Sequence, residues 1–387
     1  MNMQRHFVSL CGMVSLAGGL AFCTPLLAQQ QQDVPEFAWR AYDLHAPEAN
    51  RTYAYGISEV GVSGTQVWKH FNSELSGQVL WYWPLDVRFR KLGLLNSIWD
   101  ADRYYQTGQI EDPEYPGGGV AHAAIWFASL GEDILDMHPD GANTSEIYDL
   151  HNGIFTGNIY VKNNRNRFVT HAVVWPNASP GNMVDIHPVW STGAGASQGE
   201  ATDGTWFGGE ASSSERGRMV ATLWKGMTPE SAINMDPPDS DFRGSYISGM
   251  APGVQVGNVL RSTGKDNAVL WHGSPESLTI MHPPSWGNTN SYMYGTLGWI
   301  HIGQVSAQAG YWIGDDPESF VSLDPYLPED AGASKPFDVD VVDNKLIIVG
   351  ETDWRDYRQH AIVWIGTPTN ETARHFLRQT EGREIEP

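Results

Sequence analysis

The sequence predicts an all-β fold, a seven-bladed β-propeller of four-stranded antiparallel blades. Three observations support this class: many Trp and Gly residues, no sustained helical periodicity after the first residues, and an internal repeat. The 387 residues include 16 Trp and 41 Gly. Short runs rich in Val, Ile, Trp and Tyr alternate with Gly, Pro, Asn and Asp, which is typical of many short strands joined by tight turns.

The repeat is anchored by a Trp that ends a short apolar strand, and successive anchors lie 41 to 52 residues apart. A Pro follows most anchors by 12 or 13 residues. Each repeat contains four strand-sized segments, as a propeller blade does. Because a single blade cannot bury both of its faces, we expect the blades to stack around an axis with the Trp side chains between them. The anchors are Trp81, Trp126, Trp175, Trp224, Trp271, Trp312 and Trp364.

The two ends of the chain are predicted to close the ring together. The last repeat stops after Trp364, whereas the segment Phe37–Pro47 has the pattern of a third and a fourth strand, with Trp39 at the anchor position. We expect these N-terminal strands to complete the last blade, which removes an exposed sheet edge. Six or eight blades are the alternatives, because the unit from Leu92 to Gly119 is irregular. First strands are expected to begin near Tyr53, Leu95, Ile147, Glu200, Ser245, Ser291 and Lys335.

The N-terminus has the features of a secretory signal peptide. A basic start precedes the apolar run Phe7–Phe22, and a small residue, Ala28, marks the expected cleavage site. Lipoprotein processing at Cys23 is the alternative. Cys11 and Cys23 are the two cysteines of the chain, so a secreted or periplasmic chain cleaved at residue 28 is expected to fold without disulfides. The predicted organisation is signal peptide 1–28, linker 29–36, propeller 37–367 and C-terminal tail 368–387.

The charge of the chain limits its partners. There are 24 Lys and Arg against 45 Asp and Glu, a formal net charge of −21. Nucleic acids and anionic membranes require positive potential, so neither is expected as a partner, and no membrane insertion is expected after signal cleavage. No cofactor or resident metal is predicted. Ca²⁺ is the alternative, although no acidic run has the spacing of a calcium loop. We expect a monomer.

Three third-strand segments resemble a known group of repeats. The sequences "HAAIW" (His122–Trp126), "THAVVW" (Thr170–Trp175) and "HAIVW" (His360–Trp364) are similar to the strand motif of bacterial extracellular HAF-type repeat β-propeller proteins. The hairpin "GVQVGN" (Gly253–Asn258) is similar to the hairpin that follows in that family. The resemblance spans nearly the whole chain after the signal peptide. It implies a secreted propeller and no established activity.

Strand order predicts which loops share a face. The links between blades and the turns from second to third strand should lie together, and this blade-link face carries the longer and more varied segments. Aromatic and Arg side chains there suit sugar recognition, because an aromatic ring packs on the C–H face of a sugar. The alternative is that the Trp side chains pack between blades. The predicted ligand-binding residues are Trp190, Arg243, Trp286, Trp354 and Arg355.

The sequence is compatible with three functions. The first is non-catalytic recognition of an extracellular carbohydrate or surface protein, and the second is a carbohydrate-active hydrolase or lyase with carboxylates among Asp236, Asp239 and Asp241. The third is an envelope scaffold without a small ligand. Catalysis is not the favoured reading, because none of these carboxylates has diagnostic spacing. The "GASQG" segment around Ser197 matches a nucleophile-elbow pattern, but it lacks the strand-turn-helix context and is predicted to be a flexible link.

Recurring His residues are expected to be structural. His138, His187 and His282 precede Pro at equivalent positions, where two other repeats have Asp236 and Asp324. A polar side chain repeated at a fixed strand position suggests that it satisfies backbone groups where one blade meets the next. The third strands begin with a second set of His residues, and the same interpretation applies to His122, His171 and His360.

Overall fold

The computed structural model describes most of the chain after residue 33. The described residues are 34–70, 73–82, 89–94, 97–112, 120–127, 134–163, 166–191, 195–237, 241–355 and 358–381. At 68–70, 73–78, 82, 89–94 and 381 only the backbone is described. The predicted signal peptide, most of the predicted linker, Asp239 and the last residues of the tail lie outside these ranges. Pro35–Pro387 forms one compact unit.

The chain is an all-β, seven-bladed β-propeller of four-stranded antiparallel blades, as the sequence predicts. Within each blade the strands lie side by side in chain order from the first to the third, and the fourth is outermost. The first four blades comprise β2 Arg51–Ser58, β3 Gly61–His70, β4 Ser73–Tyr82 and β5 Phe89–Leu94; β6 Ser97–Ala101, β7 Tyr105–Glu111, β8 Ala121–Phe127 and β9 Ile134–Asp136; β10 Thr144–His151, β11 Ile154–Lys162, β12 Phe168–Trp175 and β13 Val184–Asp185; β14 Ser197–Thr202, β15 Phe207–Ser213, β16 Arg218–Trp224 and β17 Ala232–Asn234.

The remaining three blades complete the ring, and the first strand of every blade contacts the first strands of both neighbours. First strands therefore surround the axis, and fourth strands form the outer rim. These blades comprise β18 Gly244–Ala251, β19 Val254–Leu260, β20 Asp266–Trp271 and β21 Thr279–Ile280; β22 Ser291–Thr296, β23 Ile300–Val305, β24 Gln308–Ile313 and β25 Val321–Ser322; β26 Ala331–Val342, β27 Lys345–Trp354, β28 Gln359–Pro368 and β1 Phe37–Asp43.

The N-terminal segment closes the ring with one strand rather than the two expected in Phe37–Pro47. Strand β1 pairs antiparallel with β28, from Phe37 opposite Pro368 to Asp43 opposite Ile362. Blade 7 already has its own third strand, which carries the anchor Trp364, so only the outer place is open. Trp39 therefore lies on the fourth strand and not at an anchor position.

The anchor Trp residues fill the space between blades, as predicted. All seven lie on third strands and are at most 2 % exposed. Three of them donate an indole hydrogen bond to the preceding blade: Trp175 to the carbonyl of Met137, Trp224 to Ile186 and Trp271 to Met235, at 2.7–3.1 Å. Each of these three anchors thus combines a large buried apolar area with a polar contact across a blade boundary.

The tail contains a helix, α1 Glu371–Glu381. The side-chain oxygen of Asn370 accepts a hydrogen bond from the Ala373 amide at 2.9 Å and caps the first turn. Phe376 and Leu377 are buried in the core cluster shared by blades 6 and 7, and the Phe376 ring lies 4.9 Å from that of Trp299. The described helices include none that is long and apolar enough to cross a membrane.

Candidate functional site: the central channel

A repeated hydrogen-bond chain joins neighbouring blades and accounts for the recurring His residues. A Ser or Thr at the start of a first strand accepts the amide of an Ala on the third strand of the preceding blade, at 2.7–2.9 Å. The same hydroxyl contacts the His or Asp that follows the fourth strand. We call these six residues the seam hydroxyls; they are Thr52, Ser145, Ser197, Ser245, Ser291 and Ser334.

The His residues at these seams are held in defined roles. His187 Nδ1 lies 2.8 Å from the Ser197 hydroxyl, and its Nε2 lies 3.1 Å from the carbonyl oxygen of Ser191. The Nε2 must donate to that carbonyl, and burial lowers the pKa of His187, so the neutral ring accepts the hydroxyl proton at Nδ1. His171 stacks on His187 with centroids 4.1 Å apart and contacts Asp185 at 2.7 Å. The same arrangement recurs at two other seams.

Ser197 resembles a nucleophile next to a base, but its environment is structural. It lies in strand β14 rather than in the flexible link predicted from sequence, it is 0 % exposed, and it accepts the Ala172 amide at 2.9 Å. The equivalent Ser145 and Ser291 make the same contacts with His138 and His282. A pair that repeats around the ring without access to solvent connects blades and does not perform catalysis at one site.

The predicted ligand-binding residues lie on different blades. Trp190 is partly buried and donates to the carbonyl of Ala232 in the outer strand of the next blade at 3.2 Å. Trp286 packs edge-on against Phe320 of the next blade, with centroids 5.5 Å apart. Both contacts are blade-to-blade packing contacts. Ligand binding at the blade-link face therefore stays a prediction.

The other three predicted residues also have defined surroundings. The Trp354 ring stacks on His360 with centroids 4.2 Å apart. Arg355 is exposed and forms an ion pair with Asp330 of the preceding link at 2.7 Å. Arg243 is exposed beside the first strand of blade 5. The Arg355 contact joins a second-to-third turn to a blade link, as expected for two loops that share a face.

The described link carboxylates do not form an acid–base pair. Asp236 is 3 % exposed and contacts Arg218 and the seam hydroxyl of Ser245. Asp241 is exposed, and the hydrogen bond from the Ser262 hydroxyl, at 2.7 Å, lowers its pKa. Asp236 therefore belongs to a blade seam, and Asp241 is an ionised surface group.

The first strands present a second, unpredicted set of residues to the axis. In all seven blades the pairing between first and second strand skips one residue, which forms a β-bulge. Bulges re-aim side chains and are frequent beside functional sites. The skipped residues are each partly buried although they lie on the innermost strands. We call them the bulge residues: Tyr55, Trp99, Tyr148, Glu200, Ser248, Tyr294 and Phe337.

A second layer lies two residues before each bulge, where a first-strand residue faces one on the second strand. We call these the channel pairs: Tyr53–Thr65, Ser97–Gln109, Glu146–Asn158, Gln198–Glu210, Tyr246–Asn258, Tyr292–Gln304 and Lys335–Glu351. A Gly precedes every second-strand member.

These glycines are required by the close approach of the two strands. A Cβ at Gly157 would lie 2.0 Å from the carbonyl oxygen of Glu146, and the other six positions are equally tight. Only Gly fits where two backbones come this close. In every blade this close approach lies beside the bulge.

The channel lining is rich in aromatic rings that touch across blades. Trp99 and Tyr148 stack with centroids 4.5 Å apart and an interplanar angle of 12°. Between blades 1 and 7, the Tyr55 and Phe337 rings lie with their centroids 4.8 Å apart. The Lys335 ammonium lies 4.5 Å from the Tyr294 ring centroid and 4.7 Å from that of Phe337. Aromatic faces thus line most of the circumference.

Burial raises the pKa of three carboxyl groups of the channel lining. Burial, with the neighbouring charge of Glu210, raises the pKa of Glu200 to about 8. Burial raises the pKa of Glu210 to about 7 and that of Glu351 to about 6. Burial also lowers the pKa of Lys335. At neutral pH the lining therefore has carboxyl groups that can both donate and accept hydrogen bonds.

Three Asp residues next to the bulges fasten neighbouring blades near the axis. Each accepts a backbone amide of the following blade: Asp100 from Leu150 at 3.1 Å, Asp149 from Thr202 at 2.5 Å, and Asp338 from Ile57 at 2.9 Å. Burial raises the pKa of all three. Within the described ranges, no group of three or more His, Cys, Asp or Glu side chains could hold a metal ion.

A cavity of about 580 Å³ lies elsewhere, against blade 7. Its walls come from the closing strand β1 and from β26–β28, and include Trp39, Arg40, Tyr42, Lys345 and Ile365. It therefore opens along the seam where the ring closes. The bulge residues and channel pairs include many more aromatic and hydrogen-bonding groups than the lining of this cavity, so we regard them as the better candidate site.

Sequence reasoning missed the channel residues, although one signal was visible. The Gly followed by a polar residue in the second strand occurs in all seven blades, and "GVQVGN" contains one copy. The bulge interrupts the alternation of the first strand, so residues on the channel side do not follow a regular period of two. Aligning the seven Gly–polar pairs would have located the channel pairs.

Comparison with known proteins supports the fold alone. No family model and no curated protein matches the chain. A solved structure of a prolyl endopeptidase is 13 % identical with a TM-score of 0.52, over 82 % of this chain and 47 % of that one. The chain thus spans about half the length of that neighbour.

Two further solved structures are less similar to this chain. A protein of unknown function from Dyadobacter fermentans DSM 18053 is 10 % identical with a TM-score of 0.41, over 87 % of this chain and 100 % of that one. A glycoside hydrolase is 10 % identical with a TM-score of 0.25, over 84 % and 92 %. The strand topology defines the class of protein as a seven-bladed β-propeller.

Proposed function

We propose that the protein is a secreted or periplasmic, non-catalytic binding module whose central channel takes an extracellular carbohydrate. The observation that carries this proposal is the lining itself, in which bulge residues and channel pairs from all seven blades surround one axis. Eight of these residues are aromatic, and most of the others carry amide, carboxyl or hydroxyl groups. Rings that pack on sugar C–H faces, surrounded by groups that pair with hydroxyls, are the chemistry of a carbohydrate site.

The stacked pair of Trp99 and Tyr148 is the part of the lining best suited to test this proposal. The two rings come from adjacent blades and stack with each other while both remain partly exposed. Removing one ring should cost a bound sugar its packing surface, about 1–2 kcal/mol. That loss corresponds to about 5- to 30-fold weaker binding.

The experiment is calorimetric titration of the full chain with a panel of soluble neutral and charged oligosaccharides. Trp99→Ala and Tyr148→Ala are compared with the wild type, and melting curves confirm that each variant is folded. Tyr104→Ala is the matched control, because Tyr104 is an exposed aromatic in blade 2 at 58 % exposure. The proposal predicts that one glycan binds and that only the channel variants lose affinity.

Three outcomes would redirect the proposal. If no glycan binds, the channel is not a carbohydrate site. If Trp286→Ala or Trp354→Ala abolishes binding while the channel variants bind normally, the ligand occupies the blade-link face. If the bound glycan is shortened on incubation, the protein is a hydrolase or lyase rather than a binding module.

A further inference from the structure

We infer that the carbohydrate bound in the channel is cationic: an amino sugar whose free ammonium is held on the side formed by blades 3 and 4. This inference rests on the proposed function and specifies its ligand. The side in question carries three carboxyl side chains, those of Glu146, Glu200 and Glu210. Three observations support it separately: the charge distribution in the channel, a Glu200 carboxyl without a hydrogen-bond or ion-pair partner among the described residues, and the aromatic rings around it.

The charges of the channel are unevenly distributed. Among the bulge residues and channel pairs, Lys335 is the one Lys or Arg, and it lies directly opposite Glu351 on the neighbouring strand. On blades 3 and 4, by contrast, Glu146 faces Asn158 and Glu210 faces Gln198. Glu146 and Glu210 therefore have neutral cross-strand partners, whereas Glu351 of blade 7 has an ammonium.

The Glu200 carboxyl has no hydrogen-bond or ion-pair partner among the described residues. A partly buried carboxyl without a partner is costly to ionise, and either a proton or a cation can relieve that cost. The titratable groups that act on it or lie beside it are Glu210 on β15, Glu146 and Tyr148 on β10, and Tyr246 on β18. None of these is a cation, so the side is complementary to a positive ligand.

Aromatic rings flank these carboxyls, as they do in sites for ammonium groups. The charge of Glu200 acts on both Tyr148 of blade 3 and Tyr246 of blade 5, and Tyr148 stacks on Trp99. Such rings attract an ammonium through their negative faces. Lys335 shows the same interaction across the channel, where its ammonium lies over two rings. The net charge of −21 also attracts cations towards the protein.

The test compares two ligands that differ only in the groups on their nitrogen atoms. Titration calorimetry at about pH 5.5, where the amines of the free ligand are already protonated, uses a β-1,4-linked glucosamine tetramer and the same tetramer fully N-acetylated, in which each ammonium becomes a neutral amide. The inference predicts at least tenfold tighter binding of the amino form. It also predicts proton release, measured as a dependence of the binding heat on the buffer, because a bound cation favours ionised Glu200 and Glu210.

Two variants and a matched control connect the preference to these carboxyls. Glu200→Gln and Glu210→Gln keep the shape of the side chain and remove its charge, so each should weaken the amino tetramer about tenfold and leave the N-acetylated form unchanged. Glu230→Gln makes the same change at an exposed turn of the same blade and should alter neither.

The outcomes separate this inference from the proposed function. Equal or tighter binding of the N-acetylated tetramer, still sensitive to Trp99→Ala, would overturn the cationic ligand and leave the carbohydrate site intact. Failure of both tetramers and of every other glycan in the panel would overturn the site itself. Tight binding of the amino form without proton release or an effect of Glu200→Gln would also contradict the inference.

Discussion

The seam hydroxyl of Ser197 provides a quantitative test of how the blades are held together. Its replacement by Ala leaves the buried Ala172 amide without an acceptor and His187 Nδ1 without a donor. A buried unsatisfied group costs about 1–3 kcal/mol, so we expect Ser197→Ala to lose about 2–3 kcal/mol of stability. With an unfolding entropy of about 2.1 cal/mol/K per residue over roughly 350 residues, the melting temperature should fall by about 3–4 °C.

The assay is differential scanning calorimetry at pH 7.5 with two controls. Ser197→Thr keeps the hydroxyl, and Thr52 already occupies the equivalent position between blades 7 and 1, so this variant should melt within about 1 °C of the wild type. Ser214→Ala removes an exposed hydroxyl of the same blade and should have no effect beyond about 0.5 kcal/mol. If Ser197→Ala melts like the wild type, the seam hydroxyls do not stabilise the ring and the reasoning is refuted.

Three further predictions concern the same framework. Gly157→Ala places a Cβ 2.0 Å from a backbone carbonyl oxygen and should lower the melting temperature by more than about 5 °C, whereas Gly181→Ala, which meets no atom within 4 Å, should not. Burial, with the stacked His122 or His171, lowers the pKa of His138 and of His187. As the pH falls, these His residues are protonated in the unfolded chain before they are protonated in the folded one. Their contribution to stability is therefore complete above about pH 6.5 and is lost as the pH falls. A His138→Gln/His187→Gln variant should therefore show a smaller drop in melting temperature than the wild type between pH 7 and 5, and equal drops would contradict this. The pKa of Glu200 is raised to about 8, so its effect on stability has the opposite pH dependence. Its contribution is complete below about pH 4.5 and is lost as the pH rises. Glu200→Gln should therefore stabilise the protein at pH 8.5 by about 1–3 kcal/mol, and an unchanged melting temperature would contradict this.

The sequence predicted the framework because the framework repeats. An anchor Trp recurs on each third strand, and the residue before each recurring Pro lies at a seam. The residues that pack the blades together therefore appear in the sequence once per repeat. Ring closure was also predictable, because the last blade lacked a fourth strand while unassigned strand residues remained at the N-terminus. The number of strands in Phe37–Pro47 could not be predicted, because Trp39 is of the same residue type as the anchors but lies on the outer strand.

The candidate site was less predictable because it varies between blades. The seven bulge positions hold Tyr, Trp, Glu, Ser and Phe, so no single residue type marks them, and the bulge shifts the alternation on which strand prediction relies. Link residues such as Trp190 and Trp286 look like surface aromatics in the sequence. The structure shows their rings packed on the neighbouring blade, an arrangement that depends on contacts distant in sequence.

The most direct measurement of the central claim is whether blocking the channel abolishes ligand binding. Cys11 and Cys23 are the cysteines of the chain, so the full chain with both changed to Ser can carry one new thiol at a chosen place. Gln198→Cys puts it in the channel, and Ser214→Cys puts it on the blade-link face, where the Ser214 hydroxyl contacts the Trp190 carbonyl. Each thiol is capped with a bulky maleimide, and the tightest-binding glycan of the panel is titrated. The account predicts that capping Gln198→Cys abolishes binding and capping Ser214→Cys does not; the reverse result would contradict it.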